Sequence, residues 1–207
     1  MSARSYTRRQ LMMEYYEGKP PAGYEWCDYL ENNSSAYFNT GVYPDSTIKA
    51  DIEVKRTATA TTQSGIIASA DSGSQQFSLI YLANNRMYYR YGNTYINPSS
   101  FLFKDSKMHI VMNAGTVVVD GTTTYKNTGV WSGGVATHAI WIFRGASNGA
   151  GYSKMRLYSC KLTVGGVLVR NYRPAKRKSD NKYGLWDLVN KTFTASATTS
   201  NFVGGNE

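Results

Sequence analysis

The chain is poor in cysteine, in acids and in long apolar runs, and each shortage closes off a class of protein. Two cysteines in 207 residues are too few for a disulfide-built scaffold or a structural zinc site. Cys27 and Cys160 fall in an early and a late strand; two buried thiols is the preferred reading, with a disulfide between them left open. No apolar stretch reaches the length of a membrane-spanning helix. Near the N-terminus, Arg4, Arg8 and Arg9 are followed only by Leu11-Met12-Met13, too short for the apolar core of a secretory signal. These features predict a protein made and assembled in the cytoplasm, with no membrane partner.

Acids number 14 against 23 Lys and Arg, for a net charge of +9. They are also scattered. The one i, i+2 acidic pair is Asp51 and Glu53, flanked by Lys49 and Lys55. Retaining glycan hydrolysis needs two carboxyls about 5–5.5 Å apart with their pKa values driven in opposite directions. A lysine-flanked pair on a strand reads instead as a mixed-charge solvent face. His109 and His138 stand at strand starts, and no G-x-S-x-G is present. Asp71, Asp105 and Asp120 are isolated in turn sequences, short of the carboxylates a calcium ion gathers. The expectation is a non-enzyme with no cofactor and no metal.

What the chain does have is a period of two. From residue 23 onward short strands alternate with Gly, Asn and Ser turns, the pattern of an all-β, two-sheet antiparallel β-sandwich. Ile48, Ala50, Ile52 and Val54 point one way and Lys49, Asp51, Glu53 and Lys55 the other. Ala139–Arg144 places Ile140 and Ile142 on one face and Trp141 and Phe143 on the other, which predicts a central or covered strand. Gly165-Gly166 is a two-residue hairpin loop. It pairs Val164 with Val167, Leu162 with Val169 and Cys160 with Asn171, so that Cys160, Leu162, Val164, Val167 and Val169 share a core face. Arg173-Pro174 is expected to end the returning strand, and a basic loop to follow over residues 176–182. Residues 1–22 differ from the rest. They form a docking arm, with Leu11, Met12, Tyr15 and Tyr16 at helical spacing within 5–17 and Pro20-Pro21 as a stiff stop. The jelly-roll domain is 23–207.

The residue order also carries a resemblance. KMRLYSCKL, a short turn, VLVRNYRPAKRKSD and YGLWDLVNKTFTA, preceded by YLENNSSAYFNTGVYPDSTIKADIEV and HIVMNAGTVVVDGTTTY, resemble LamG-like (concanavalin A-like) jelly-roll domains over roughly residues 24–204. Such domains occur in bacteriophage and prophage structural proteins and in surface proteins of gut bacteria. The resemblance implies a non-enzymatic structural protein of a tailed-phage virion: a capsid decoration, head-fibre or tail-associated subunit. It would dock on other virion proteins through Arg4, Arg8, Arg9, Leu11, Met12, Tyr15 and Tyr16. The virion is then its location, with the bacterial cell surface as the alternative.

The second functional expectation is a glycan-binding adhesion module for host-surface or mucin carbohydrate. On the tyrosine-rich strand 86–91, Tyr89 and Tyr91 share a face with Met87, leaving Tyr88 and Arg90 to face out beside Tyr95. Residues 154–182 hold nine Lys and Arg against Asp180 alone, a local charge of +8 that favours an acidic partner. Lys176, Arg177 and Lys178 are therefore joined to Tyr88, Arg90 and Tyr95 as the candidate glycan or anionic-partner surface. Nucleic acid ranks last, because no base-reading framework accompanies the cations.

Overall fold

The computed structural model describes residues 18–32, 34–59, 63–69, 75–145 and 151–207. Their strands are β1 (Tyr24–Trp26), β2 (Tyr29–Asn32), β3 (Phe38–Asn39), β4 (Lys49–Arg56), β5 (Ser64–Ser69), β6 (Gln76–Tyr81), β7 (Met87–Gly92), β8 (Thr94–Ile96) and β9 (Met108–Asn113). They continue as β10 (Thr116–Val119), β11 (Thr123–Lys126), β12 (Ile140–Ile142), β13 (Gly151–Tyr152), β14 (Met155–Val164), β15 (Val167–Arg177), β16 (Tyr183–Asp187), β17 (Thr192–Thr194) and β18 (Val203–Gly205).

The expected two-sheet sandwich is observed. The first sheet runs β11-β10-β9-β4-β14-β15-β16-β17, with β1 beside β15 and β2 between β14 and β18. The second runs β3-β12-β5-β6-β7-β8, with β13 joined to β5 as a short parallel pair. Alternation decides which side chains meet between them. Ala50, Ile52 and Val54 of β4 are buried while Lys49, Asp51 and Glu53 are only half-buried. Phe77, Leu79 and Tyr81 of β6 and Ile140 and Ile142 of β12 face them in one core. Burial of each such side chain contributes about 1.5–3 kcal/mol. β12 is central, between β3 and β5. Buried tyrosines extend through the core to its rim: Tyr91 donates to the Ser46 carbonyl at 2.9 Å and Tyr89 to the Ala114 carbonyl. Burial pushes the Tyr89 phenol well above its ordinary pKa.

Three local expectations are corrected. The Gly165-Gly166 turn forms as read, with φ of 58° and 77°. However, a bulge between Leu162 and Thr163 shifts the register, so Leu162 faces Arg170 rather than Val169 and Cys160 faces Tyr172 rather than Asn171. Cys160 and Leu162 are buried, whereas Val167 is 58% exposed because the hairpin tip extends past the core. Second, Pro174 does not end β15. It pairs with Leu185, and its carbonyl accepts the Cys27 N–H at 3.1 Å. Its missing donor faces the fork where β15 leaves β14 after Tyr172 and meets β1 at Ala175, so no ladder bond is lost there. Third, Phe143 does not share the Trp141 face. At φ 72° its side chain turns into the core against Phe38 and Phe202. The left-handed backbone costs about 1–2 kcal/mol, offset by burying the whole ring. Both cysteines are buried, unbonded thiols.

Candidate functional site

The outward face of the second sheet is organised in rows. The register places Asn39, Trp141, Ala68, Ser78, Arg90 and Tyr95 side by side across β3, β12, β5, β6, β7 and β8. A second row runs Tyr152, Gly65, Ile80 and Tyr88. Because Ile67, Leu79 and Tyr89 point into the core, both rows point away from it.

Two groups of rings stand on this face. In the first, the Arg144 guanidinium lies over Tyr37 and Trp141 at 4.8 Å and over Tyr152 at 5.5 Å. In the second, Tyr88 and Tyr95 lie 5.2 Å apart, with Arg90 5.9 Å from the Tyr95 ring and its Nη1 donating to Gln76 Oε1 at 3.2 Å. Between the groups lie Gly65, Ala68, Ser78 and Ile80 of β5 and β6; Ala68, Ser78 and Ile80 are buried, so the middle of this face is covered. Gly65 is required where it is: a Cβ there would strike the Arg144 and Gly145 backbone at 2.2–2.3 Å. That close crossing sets Arg144 over the rings.

Tyr88, Arg90 and Tyr95 thus come together as expected, and Tyr95 is 56% exposed. Lys176, Arg177 and Lys178 do not join them. They belong to the first sheet, and Lys176 and Arg177 lie on β15 itself rather than in a loop. Each has a partner within the chain. Lys178 reaches Glu25 at 3.4 Å, Lys176 lies 5.8 Å from the Tyr183 ring, and Arg177 clamps Asp180 at 2.7 and 3.0 Å. The Arg177 hydrogen bond holds the Asp180 carboxyl at about 2. Arg4, Arg8, Arg9, Leu11, Met12, Tyr15 and Tyr16 lie outside the described residues.

Tyr37, Trp141, Arg144 and Tyr152 were not picked out from the sequence. The one available signal was Trp141, an indole on the opposite side of its strand from Ile140 and Ile142.

The outward face of the first sheet is different in kind. Arg156 bonds Glu31 at 2.7 Å and Glu207 at 2.5 Å and lies 3.9 Å over Tyr29. Asp51 is held by His109 at 2.8 Å. Glu53 lines a cavity of about 360 Å³ with Cys27, Asp28, Lys107, Tyr158, Arg173 and Glu207. The Cys27 thiol there is pushed up by burial and by Glu25 and Asp28. Tyr158 is pushed up to about 12, mainly by burial. Among the described residues no group of His, Cys, Asp and Glu is arranged to hold a metal.

The architecture is that of a two-sheet antiparallel β-sandwich. No protein-family model and no curated protein matches the chain. Among solved structures it is similar to Trypanosoma rangeli sialidase in complex with sialic acid, at 18% identity and a TM-score of 0.52, over 68% of this chain and 26% of that one. A mutant of T. rangeli sialidase displaying trans-sialidase activity matches at 17% identity and a TM-score of 0.46, over 67% and 27%. The chain spans about a quarter of the length of these enzymes, and the likeness is one of fold.

Proposed function

We propose that this sandwich, of the LamG-like type, is a glycan-binding adhesion module and that the outward face of the second sheet is its site. The observation that carries this reading is the pair of ring groups, Tyr37–Trp141–Tyr152 and Tyr88–Tyr95, standing toward the two ends of one sheet face. Sugar rings stack their C–H faces on aromatic faces, and tyrosine adds a hydroxyl for the sugar's own hydroxyls. Binding is favoured over hydrolysis because none of the seven strands of this sheet carries Asp or Glu. The described carboxylates lie on the first sheet or in loops. The sialidase likeness supplies a carbohydrate context and no site.

The test is a glycan array with purified chain, repeated with Trp141→Ala and Tyr95→Ala. Expected are defined hits that weaken about tenfold or more in each variant while the thermal midpoint holds. A blank array, or hits indifferent to both substitutions, overturns the reading.

A second reading, display of this module on a tailed-phage virion, is favoured by one placement. The segment from residue 18 enters through β1, which pairs with β15 in the first sheet. An assembly gripping the chain ahead of residue 18 would hold it next to the first sheet. Deleting residues 2–21 and finding incorporation into particles unchanged would remove this reading.

A further inference from the structure

We infer that the glycan taken by this face is anionic, its acidic groups received by Arg90 and Arg144; the inference rests on the binding face proposed above. Of the other described arginines, Arg156 meets Glu31 and Glu207, Arg170 approaches Asp187 at 3.6 Å and Arg177 meets Asp180, while Arg56 and Arg86 donate to the Phe103 and Asn97 carbonyls and Arg173 lies over Trp26. Neither Arg90 nor Arg144 has a carboxylate partner among the described residues, and no strand beneath them supplies one. Among the described residues the Arg144 guanidinium meets ring faces, which fix its plane and direct its in-plane N–H groups toward a bidentate acceptor. Among the described residues Arg90 has neutral partners, Gln76 by a hydrogen bond and the Tyr95 ring at 5.9 Å.

The spacing suits an extended chain. Trp141, beside Arg144, and Arg90 are three strand intervals apart in one row, or roughly 14 Å. An acidic group on each of two separated sugars satisfies both arginines while the sugars between them pass over the covered middle of the face, where Ala68 and Ser78 are buried. Carboxylate and sulfate fit this chemistry alike. A nucleic-acid strand fits it less well, because its phosphates recur at every nucleotide and call for a track of Lys and Arg. This face offers two guanidiniums, and the basic stretch 154–182 carries most of its cations on the other sheet.

The experiment is calorimetric titration of the full chain with oligogalacturonate (carboxylated), κ-carrageenan oligosaccharides (sulfated), laminarin oligosaccharides (neutral) and an oligothymidylate, in low salt and again in 0.5 M NaCl. Arg90→Gln and Arg144→Gln are titrated in parallel, with Trp141→Ala as the stacking control. Expected is binding to one or both acidic sugars, weakened about tenfold by either arginine substitution and by salt. The carboxylated and sulfated arms identify which acid is read. Neutral sugar bound as well as acidic sugar, lost in Trp141→Ala but unchanged in both arginine variants, overturns the inference and leaves the binding face standing. No sugar bound in any arm, or oligothymidylate bound more tightly than every sugar, overturns both.

Discussion

The two outward faces of this sandwich are built from the same strands-and-turns grammar and carry opposite chemistry. On the first sheet, cations and anions alternate and neutralise one another within the chain: Arg156 with Glu31 and Glu207, Lys178 with Glu25, Arg177 with Asp180. On the second, rings and arginines stand on strands that lack acids, and the arginines rest on π faces. The difference separates charge that is abundant from charge that is available. The stretch with a local charge of +8 is the more basic by count. The second sheet has far fewer cations, and there Arg90 and Arg144 have no carboxylate partner among the described residues.

The largest change expected from a single substitution abolishes the contrast by removing what both faces share. Leu79→Ala, fully buried between the sheets, should cost about 2–5 kcal/mol in urea denaturation, with both faces lost in one transition. A smaller and one-sided effect is expected from Gly65→Ala. The new Cβ must displace the Arg144–Gly145 backbone, at a cost of about 1–3 kcal/mol. Sugar binding should fall far more than stability, and unchanged binding would mean that the crossing does not position Arg144.

Arg156→Gln sharpens the comparison from the other side. It removes the centre of the Glu31–Arg156–Glu207 cluster and should cost about 1 kcal/mol with no change in sugar affinity. Any loss of affinity would show that the first sheet also takes part. The smallest effect concerns Asp180, whose carboxyl is lowered from 3.8 to about 2 by Arg177. A depressed folded-state pKa contributes stability above the ordinary value that is lost as pH falls through the folded one. Asp180→Asn should therefore flatten the acid limb of the stability curve between about pH 4 and 2, slightly, and leave binding at neutral pH untouched.

The fold was readable because its signals are local. Alternation in β4, the glycine pair at 165–166 and the tyrosine strand β7 each needed only a few residues to read. Half of the site was readable for the same reason: Met87, Tyr89 and Tyr91 inward leaves Tyr88 and Arg90 outward. The other half depends on geometry that periodicity does not encode. Phe143 turns inward on a left-handed backbone, which breaks the alternation begun by Ile140–Trp141–Ile142 and hides the Arg144 cluster. The bulge at Leu162 and Thr163 shifts a register that the turn had set correctly. The placement of the basic run on the first sheet was not legible because sequence counts charges and says nothing of partners such as Glu25, distant along the chain and adjacent in space.

The way the last strand is pinned has a mechanical consequence. β18 lies antiparallel to β2, with Gly205 opposite Tyr29 and Val203 opposite Glu31, and the Glu207 N–H bonds Asp28 at 2.9 Å. A tension applied between Asp28 and Glu207 therefore meets these bonds singly, as a zip meets its teeth, and not all at once in shear. The strand would peel at low force from its Gly205 end, while the sheet spanned by β4 and β14 stays closed. A load applied through that end would be met first by a few extended residues, a slack that absorbs a tug before the aromatic face is disturbed.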